Sequence, residues 1–388
     1  MTVQKSKDPT RTVLLTPGPT PLPNAVKQAL SGDIIHHRTT EFKELFLGIQ
    51  PKLQQLFQTS APVITLACTG TGAMEASVVN LFSQHDKVLV INGGKFGERL
   101  TKICKAYGLE VCEYFVERGS AADLETLESQ LDKNADAKAI LFQASETSTG
   151  VRMPVEEIVA LCKKKQLLSV CDGITAVGIF DLPMDELGVD VLMTGSQKAM
   201  MLPPGLAFIA LSPTAWSKSE TSTLPKFYFN LKREREAQAK GYTAWTPATQ
   251  LIQGLDTALD MILNQEGLKN AFARHDRLAQ ATRAGVRALG LELLNASAPS
   301  QAVTAVKLPF SKDIGKLIPK TMSERFNVIV TGGQDELEGK IVRLSHFGAC
   351  SIHDVAAGVA SLGYALKEYG FECDVGEALA QCFHTFEI

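Results

Sequence analysis

Between residues 60 and 212, short apolar segments alternate with amphipathic segments of helical period. Helix-boundary signals occur in two of the amphipathic segments, with Gly108 closing one and Pro154 opening another. Near-continuous apolar strands separated by helices are typical of a mainly parallel sheet that helices cover on both faces. We therefore predict an α/β fold. Its strands are expected at residues 63–67, 87–91, 110–115, 138–142, 167–172, 189–194 and 206–211.

The pattern changes in the C-terminal third of the chain. Residues 248–290 form a long helical segment that we predict to be interrupted near Gly267, and short strand patterns then alternate with helices at 312–326 and 352–368. The N-terminal "VLLTPGPTPLP" is too rich in proline to form a helix. We predict an extended N-terminal segment at 1–19, a large domain at 20–262 and a smaller C-terminal α+β domain at 263–388.

Composition and charge exclude several classes of function. The chain has 388 residues, of which 45% are apolar, and a formal net charge of -3, which disfavours a nucleic-acid partner or an anionic membrane surface. Its apolar runs are too short to cross a bilayer, and the N-terminal "MTVQKSKDPTR" lacks the apolar core of a secretory signal. The eight cysteines are scattered, without a CxxC pair or a His/Cys cluster. We therefore expect reduced thiols, a cytoplasmic location and no metal site.

The segment 66–82, "LACTGTGAMEASVVNLF", runs from a predicted strand through Thr-Gly-Thr-Gly into a predicted helix. Thr69, Thr71 and the free N–H groups of the helix start could bind an anion such as a phosphate, although a glycine-rich turn can also serve packing alone. A dinucleotide site is disfavoured, because Glu75 stands where its third glycine belongs. The second strand also ends in Asn92 instead of an acidic residue.

Two charged residues follow later strands of the predicted sheet. Asp172 alone could be a helix cap or an electrostatic partner, and Lys198 alone could be a loop lysine with its amine in solvent. They lie 26 residues apart, about one βα unit, so both should reach the sheet edge that the Thr-Gly-Thr-Gly turn occupies. An anion cradle, a carboxylate and a lysine at one edge are what a pyridoxal 5'-phosphate (PLP) site requires.

The chain resembles the class V aminotransferases, and within them the alanine/serine–glyoxylate branch that includes soluble hydrogenase small subunits. The resemblance covers roughly residues 12–365 and implies PLP fold type I: a large domain with a mainly parallel seven-stranded sheet and a smaller C-terminal α+β domain. The matching stretches are "TPGPTPLP", "TGTGAMEA", "NGGKFGERL", "ETSTGV", "CDGITAVG", "GSQKAMMLPPGLAFIAL", "TPATQLIQGLD" and "GKIVRLSHFGAC".

The resemblance implies a role for each site residue. Lys198 would form the Schiff base with PLP and then transfer the proton between the substrate Cα and the cofactor. Asp172 would pair with the pyridinium nitrogen, and Phe96 would stack on the ring where many relatives have Trp. The remaining cofactor contacts would be Thr71, Gly72 and Ala73 in the phosphate loop, Thr147 near the ring hydroxyl, Ile174 on the opposite ring face and Gln197 at the phosphate.

Other residues would act at the substrate or across a homodimer interface. By the resemblance, Thr243 and Thr246 would reach the phosphate bound by the other subunit, so that the active sites are shared. Arg343 alone would be expected at the surface. The resemblance instead implies that its planar guanidinium binds the substrate α-carboxylate through two hydrogen bonds.

Two further features leave alternatives open. His36, His37 and Arg38 either form a solvated turn or lie near the mouth of the active site, where one of them could select substrates. Cys350 stands near the position of the catalytic thiol in cysteine desulfurases. We interpret Cys350 as structural, because aminotransferase relatives also have a cysteine in this stretch.

We therefore expect a PLP-dependent transaminase that moves an amino group from alanine or serine to glyoxylate or pyruvate in a ping-pong reaction. A 2-aminoethylphosphonate transaminase or a PLP-dependent lyase of the same class would share Lys198 and Asp172. A non-catalytic partner subunit is the alternative from another class, and the complete set of PLP-site residues argues against it.

Overall fold

The predicted strands assemble into one seven-stranded sheet in the computed structural model, which describes residues 12–386. The strand order is β2-β10-β9-β8-β5-β3-β4; β10 is antiparallel to both neighbours, and the other paired strands are parallel. The α/β prediction is confirmed. The strands of the described chain are β1 (Val13–Leu14), β2 (Val63–Leu66), β3 (Lys87–Asn92), β4 (Glu110–Phe115), β5 (Ala139–Gln143), β6 (Ser145–Glu146), β7 (Val151–Arg152), β8 (Leu168–Asp172), β9 (Val191–Gly195), β10 (Ala207–Leu211), β11 (Val303–Lys307), β12 (Val328–Ile329), β13 (Thr331–Gly332) and β14 (Ile341–Ser345).

Helices cover both faces of this sheet, as its apolar strands require. Alternate residues of each central strand enter two separate cores, so that Leu89 and Ile140 pack on one face while Val90 and Leu141 pack on the other. The helices are α1 (Asn24–Leu30), α2 (Thr40–Phe57), α3 (Gly70–Leu81), α4 (Lys95–Ala106), α5 (Leu124–Lys133), α6 (Val155–Lys165), α7 (Met184–Leu187), α8 (Pro213–Ser219), α9 (Leu231–Gln238), α10 (Thr249–Asp260), α11 (Leu268–Ala288), α12 (Lys312–Phe326), α13 (Ile352–Glu368) and α14 (Val375–His384).

The long C-terminal helical segment is interrupted where the sequence predicts. After α10, a π-helical turn at Met261–Glu266 leads to Gly267, whose φ of 86° starts α11 in a new direction. Helices α11, α13 and α14 form a third core with a three-stranded sheet of order β11-β14-β13. The domain boundaries at 1–19, 20–262 and 263–388 stay a prediction.

Residues 12–20 form no helix and run from the C-terminal core to the carboxyl ends of the large sheet. β1 pairs in parallel with β12, and the Leu15 carbonyl accepts a hydrogen bond from Ser345 N–H at 2.9 Å. Residues 1–11, the polar stretch in which the sequence predicts no secretory signal, lie outside the described residues. No helix within residues 12–386 is long and apolar enough to span a membrane.

Candidate active site

Lys198 lies in a tight turn after β9 and is only 7% exposed. The turn is closed by Met201 N–H, which donates to the Lys198 carbonyl at 3.0 Å, and by the Ser196 hydroxyl, which donates to the Pro203 carbonyl at 2.7 Å. Proline has no N–H and fixes its own φ, so the Pro203-Pro204 pair prevents a helix from continuing through this turn. The turn therefore fixes the lysine at the carboxyl end of the sheet.

The N-terminal segment packs directly on Lys198. Lys198 Nζ donates a hydrogen bond to the Pro17 carbonyl, and the Thr20 hydroxyl donates to the Lys198 carbonyl at 2.9 Å. At Gly18, whose φ is +104°, an added Cβ would lie 2.7 Å from Nζ. Glycine is required at this position, both by the backbone conformation and by the space that the lysine occupies.

Asp172 ends β8 at the same edge of the sheet and is 4% exposed. Its neighbours in register are Gln143 on β5 and Met193 on β9. Asp172 Oδ1 accepts a hydrogen bond from Ile174 N–H at 2.8 Å. Burial raises the pKa of Asp172 to about 7, although this hydrogen bond favours the charged form.

Burial also lowers the pKa of Lys198 to about 8, against the attraction of Asp172. No ion pair joins the two side chains within the described chain, and the lysine amine is held by a backbone carbonyl instead. The site thus contains an acid and a base whose pKa values lie near neutrality. Both groups could exchange protons in the pH range where enzymes usually work.

The start of α3 is where the sequence predicts an anion site. Thr69 precedes the helix without capping it, and its carbonyl accepts from the N–H groups of Gly72 at 2.8 Å and Ala73 at 3.4 Å. In the described part of the chain, the N–H groups of Gly70 and Thr71 have no protein acceptor. The backbone donors available to an anion are therefore those of Gly70 and Thr71, while the phosphate-loop role of Gly72 and Ala73 stays a prediction.

Gln197 brings its side-chain amide to the same helix start. A Cβ added at Gly195 would lie 2.9 Å from Gln197 Oε1 and 3.4 Å from the backbone nitrogen of Gly70. Gln197 Oε1 is buried without a hydrogen-bond partner. A Cβ added at Gly70 would lie 2.5 Å from Ile174 Cδ1, so Ile174 packs against the loop as well. The loop, Gln197 and Ile174 therefore lie close together beside Asp172.

Phe96, in the first turn of α4, is positioned by a carboxylate that the sequence analysis did not assign. Glu146 is fully buried, and its Oε2 accepts from the N–H groups of Phe96 at 3.1 Å and Gly97 at 3.2 Å. Its Oε1 accepts from the Ser148 hydroxyl at 2.6 Å. An anion at a helix N-terminus is stabilising, so Glu146 fixes the start of α4 from outside the helix. Only its place in "ETSTGV" pointed to it, because no spacing rule connects residues 146 and 96.

Arg343 lies in the middle of β14 and is 6% exposed, which the sequence alone did not suggest. Its Nε donates to the Gly332 carbonyl at 3.0 Å, and its Nη1 donates to the Thr147 carbonyl at 3.1 Å. Burial lowers the pKa of Arg343, and the charge of Glu146 opposes that shift. Arg343 therefore contacts Thr147 directly. Its positive charge also adds to the effect of burial in lowering the pKa of Lys198, so Arg343 belongs to the same site.

Thr243 and Thr246 lie apart from this cluster in the single chain. They line a surface pocket together with His37 and Arg38, and this pocket includes neither Lys198 nor Asp172. Thr243 Oγ1 donates to the Trp245 carbonyl at 2.5 Å. The role of both threonines at a partner's phosphate stays a prediction.

Cys350 is buried among apolar side chains of the third core, and its thiol contacts the Ser351 carbonyl at 3.7 Å. Within residues 12–386, no group of three or more His, Cys, Asp or Glu side chains could hold a metal ion.

Known proteins are similar to this chain in sequence and in architecture. The family described as Aminotransferase class-V matches residues 13–351. The chain is 41% identical to the soluble hydrogenase 42 kDa subunit of Anabaena cylindrica, with 93% of this chain and 94% of that protein covered. It is 35% identical to the serine–glyoxylate aminotransferase of Hyphomicrobium methylovorum, with 96% and 94% covered.

Ureidoglycine–glyoxylate aminotransferase from Bacillus subtilis has the same architecture, with a TM-score of 0.92, 26% sequence identity, and 98% of this chain and 99% of that chain covered. This agreement confirms PLP fold type I, the fold that the resemblance implied. The match over most of the chain confirms the family as well. The chain belongs to the class V aminotransferases and is a transaminase.

Proposed function

We propose that the chain binds PLP and moves an amino group from alanine or serine to a small 2-oxo acid, glyoxylate or pyruvate. The observation that carries the proposal is the pair of buried, oppositely charged groups Lys198 and Asp172, which make no ion pair with each other. They lie at one sheet edge beside the free N–H groups of a helix start. Removing both charges from water costs several kcal/mol of folding free energy, and a bound ligand that pairs with both groups would offset this cost.

The residues present fit PLP at each end. The Gly70 and Thr71 N–H groups would hold the phosphate, and the Gln197 side chain would donate to it through its amide Nε2. Asp172 would hold the ring nitrogen, and Phe96 and Ile174 would lie on the two ring faces. Bound in this way, PLP withdraws electrons from the substrate Cα.

The protein's own residues would perform the remaining steps. Lys198 would bind the cofactor covalently and would also accept the Cα proton of the substrate, a transfer that suits an amine with a pKa of about 8. Arg343 would orient the substrate by its α-carboxylate, and Thr147, whose carbonyl holds Arg343, would lie near the ring hydroxyl.

A small substrate is favoured because the arginines near the site already have defined positions. Arg343 is held by two carbonyls, and Arg99 donates to Thr71 at the phosphate end. A second carboxylate on the substrate would therefore not find an uncommitted guanidinium in Arg343 or Arg99. The names of two relatives also support glyoxylate as the acceptor, since both are glyoxylate aminotransferases.

We also propose a cytoplasmic homodimer with shared active sites. Thr243 and Thr246 lie on a face with exposed aromatic side chains, including Phe227 at 74% and Tyr242 at 40% exposure. Exposed aromatic side chains of this kind are typical of interfaces. The scattered cysteines of the sequence support a reducing compartment.

A half-reaction assay tests the function. We expect the purified protein to take up PLP with a visible absorbance band, alanine and serine to bleach that band, and glyoxylate or pyruvate to restore it. A protein that takes up no PLP would contradict the proposal. A response confined to 2-aminoethylphosphonate, or release of a cleaved carbon fragment, would replace it by one of the two alternatives within the family.

A further inference from the structure

Arg99 lies one helical turn after Phe96 on α4 and contacts two residues of the proposed cofactor site. Its Nη1 donates a hydrogen bond to Thr71 Oγ1 at 3.1 Å. Its guanidinium carbon lies 4.9 Å from the centroid of the Phe96 ring, within the range of a cation–π contact. One cation therefore connects the start of α3 with the start of α4.

The contact with Thr71 determines where the threonine hydroxyl can donate. A hydroxyl has one proton and two acceptor lone pairs. Because Oγ1 already accepts from Arg99, the Thr71 proton remains available for an acceptor on the other side. The free N–H of Thr71 is at the same helix start, so an anion bound there would receive donors from both groups.

The contact with Phe96 limits the motion of the ring. Glu146 holds the backbone of Phe96, and Arg99 holds the ring itself. A ring fixed at both points loses less rotational freedom when it stacks on a ligand.

We infer that Arg99 is a positioning residue for the cofactor, which orients the Thr71 hydroxyl toward the phosphate and the Phe96 ring toward the pyridine. The inference rests on the proposed PLP function. The charge of Arg99 also extends to the catalytic pair: burial is the main influence on the pKa values of Lys198 and Asp172, and Arg99 lowers both.

The test compares Arg99→Met and Arg99→Lys with Arg235→Met as a matched control. Arg235 is also an exposed arginine, and it stacks on Trp216 at 4.5 Å near the opposite edge of the sheet. Apoprotein is titrated with PLP and with pyridoxal, which lacks the phosphate, and the dissociation constants are measured at low and high salt. Unfolding midpoints of the apoproteins show whether a variant is simply less stable.

We expect Arg99→Met to weaken PLP binding about tenfold, because without the hydrogen bond from Arg99 the Thr71 hydroxyl is no longer oriented toward the phosphate. Pyridoxal affinity should change much less, because most of the effect passes through the phosphate. Arg99→Lys should recover part of the loss, because it keeps the charge but not the planar fork. High salt should narrow the gap between wild type and Arg99→Met.

An Arg99→Met protein that binds PLP as tightly as wild type overturns the inference. Equal losses for PLP and pyridoxal also overturn the phosphate part of it, and so does a loss matched by Arg235→Met. If the wild-type protein itself does not bind PLP, the proposed function fails instead, so the two failures are distinguishable.

Discussion

The amino ends and the carboxyl ends of the strands form two edges of the seven-stranded sheet. The same kinds of side chain occur at both edges but in different surroundings. At the amino edge, Asp190 precedes β9, and its carboxylate accepts from Ser169 N–H at 3.0 Å and from the Ser212 hydroxyl at 2.7 Å. At the carboxyl edge, Asp172 ends β8 and accepts from Ile174 N–H, with burial raising its pKa to about 7. Asp190 thus accepts hydrogen bonds on both carboxylate oxygens, whereas the described residues supply Asp172 with one.

The lysines of the two edges differ in burial, whereas the arginines make similar contacts. Lys163 at the amino edge donates to the Leu187 carbonyl from an exposed position, whereas Lys198 donates to the Pro17 carbonyl from a buried one. Stacked arginine–aromatic pairs also occur at both edges. The residue types are therefore not what distinguishes a functional edge. The difference is how many of the buried charges have partners within the chain.

Replacing the two lysines by alanine should separate the edges most strongly. If Lys198 binds PLP and accepts the Cα proton as proposed, Lys198→Ala removes both roles, and we expect transaminase turnover to fall by about 10³-fold or more. Lys163→Ala removes one exposed hydrogen bond and should leave turnover unchanged. Steady-state rates with alanine and glyoxylate check both. Comparable losses in the two variants would show that the edges do not differ in function.

The two aspartates should differ in the pH dependence of apoprotein stability. Asp172 has a folded pKa of about 7 against an ordinary value of 3.8, so the folded state binds more protons than the unfolded state between these values. The apoprotein should therefore lose stability as pH rises from about 4 to 7, by on the order of 3 kcal/mol. Lys198 has a folded pKa of about 8 against an ordinary value of 10.5, so the unfolded state binds more protons between these values. The apoprotein should therefore regain stability as pH rises from about 8 to 10.5.

Asp172→Asn should remove the loss between pH 4 and 7 and keep the hydrogen bond from Ile174. Asp190→Asn should instead lower the unfolding free energy at pH 7.5 by about 1 kcal/mol, because it weakens the hydrogen bonds that the two serines donate to the carboxylate. Urea unfolding at pH 4.5, 6 and 7.5 measures both effects. An unchanged pH slope in Asp172→Asn would disprove the assignment of that slope to Asp172.

Arg343→Lys should raise KM for every amino donor roughly tenfold, since a lysine makes one of the two hydrogen bonds to a carboxylate. The turnover number at saturation should change less, because the bond is made equally in the bound substrate and the transition state. Arg235→Lys at the amino edge should alter neither. A change in kcat alone for Arg343→Lys would mean that Arg343 acts on the reaction step and not on substrate binding.

The sequence predicted those parts of the site that follow from local order along the chain. Lys198 and Asp172 each follow an apolar strand, and parallel strands bring their carboxyl ends to one edge, so their shared location could be predicted from pattern alone. The substrate role of Arg343 came only from the resemblance, because nothing in the pattern showed that β14 would bury it against Thr147.

Glu146 and Arg99 were missed for a related reason. The contacts of Glu146 and Arg99 depend on the packing of α4 against β6 and against α3. These contacts join residues that are distant in sequence. Gly18 is similar: proline-rich composition predicted an extended segment, but not that its glycine would pack on the amine of Lys198. Side-chain contacts between distant elements have no periodic signal.

The smallest expected effect comes from exchanging the aromatic residue of each arginine-stacked pair. Phe96→Trp enlarges the aromatic ring that would lie between Arg99 and PLP. We expect the dissociation constant for PLP to fall about threefold, because the larger ring adds about 0.5–1 kcal/mol of aromatic contact. Trp216→Phe makes the reverse exchange under Arg235 at the amino edge and should leave PLP affinity unchanged. Fluorescence titration of both apoproteins measures the constants. Weaker binding in Phe96→Trp would mean that the space between Arg99 and the cofactor fits phenylalanine alone.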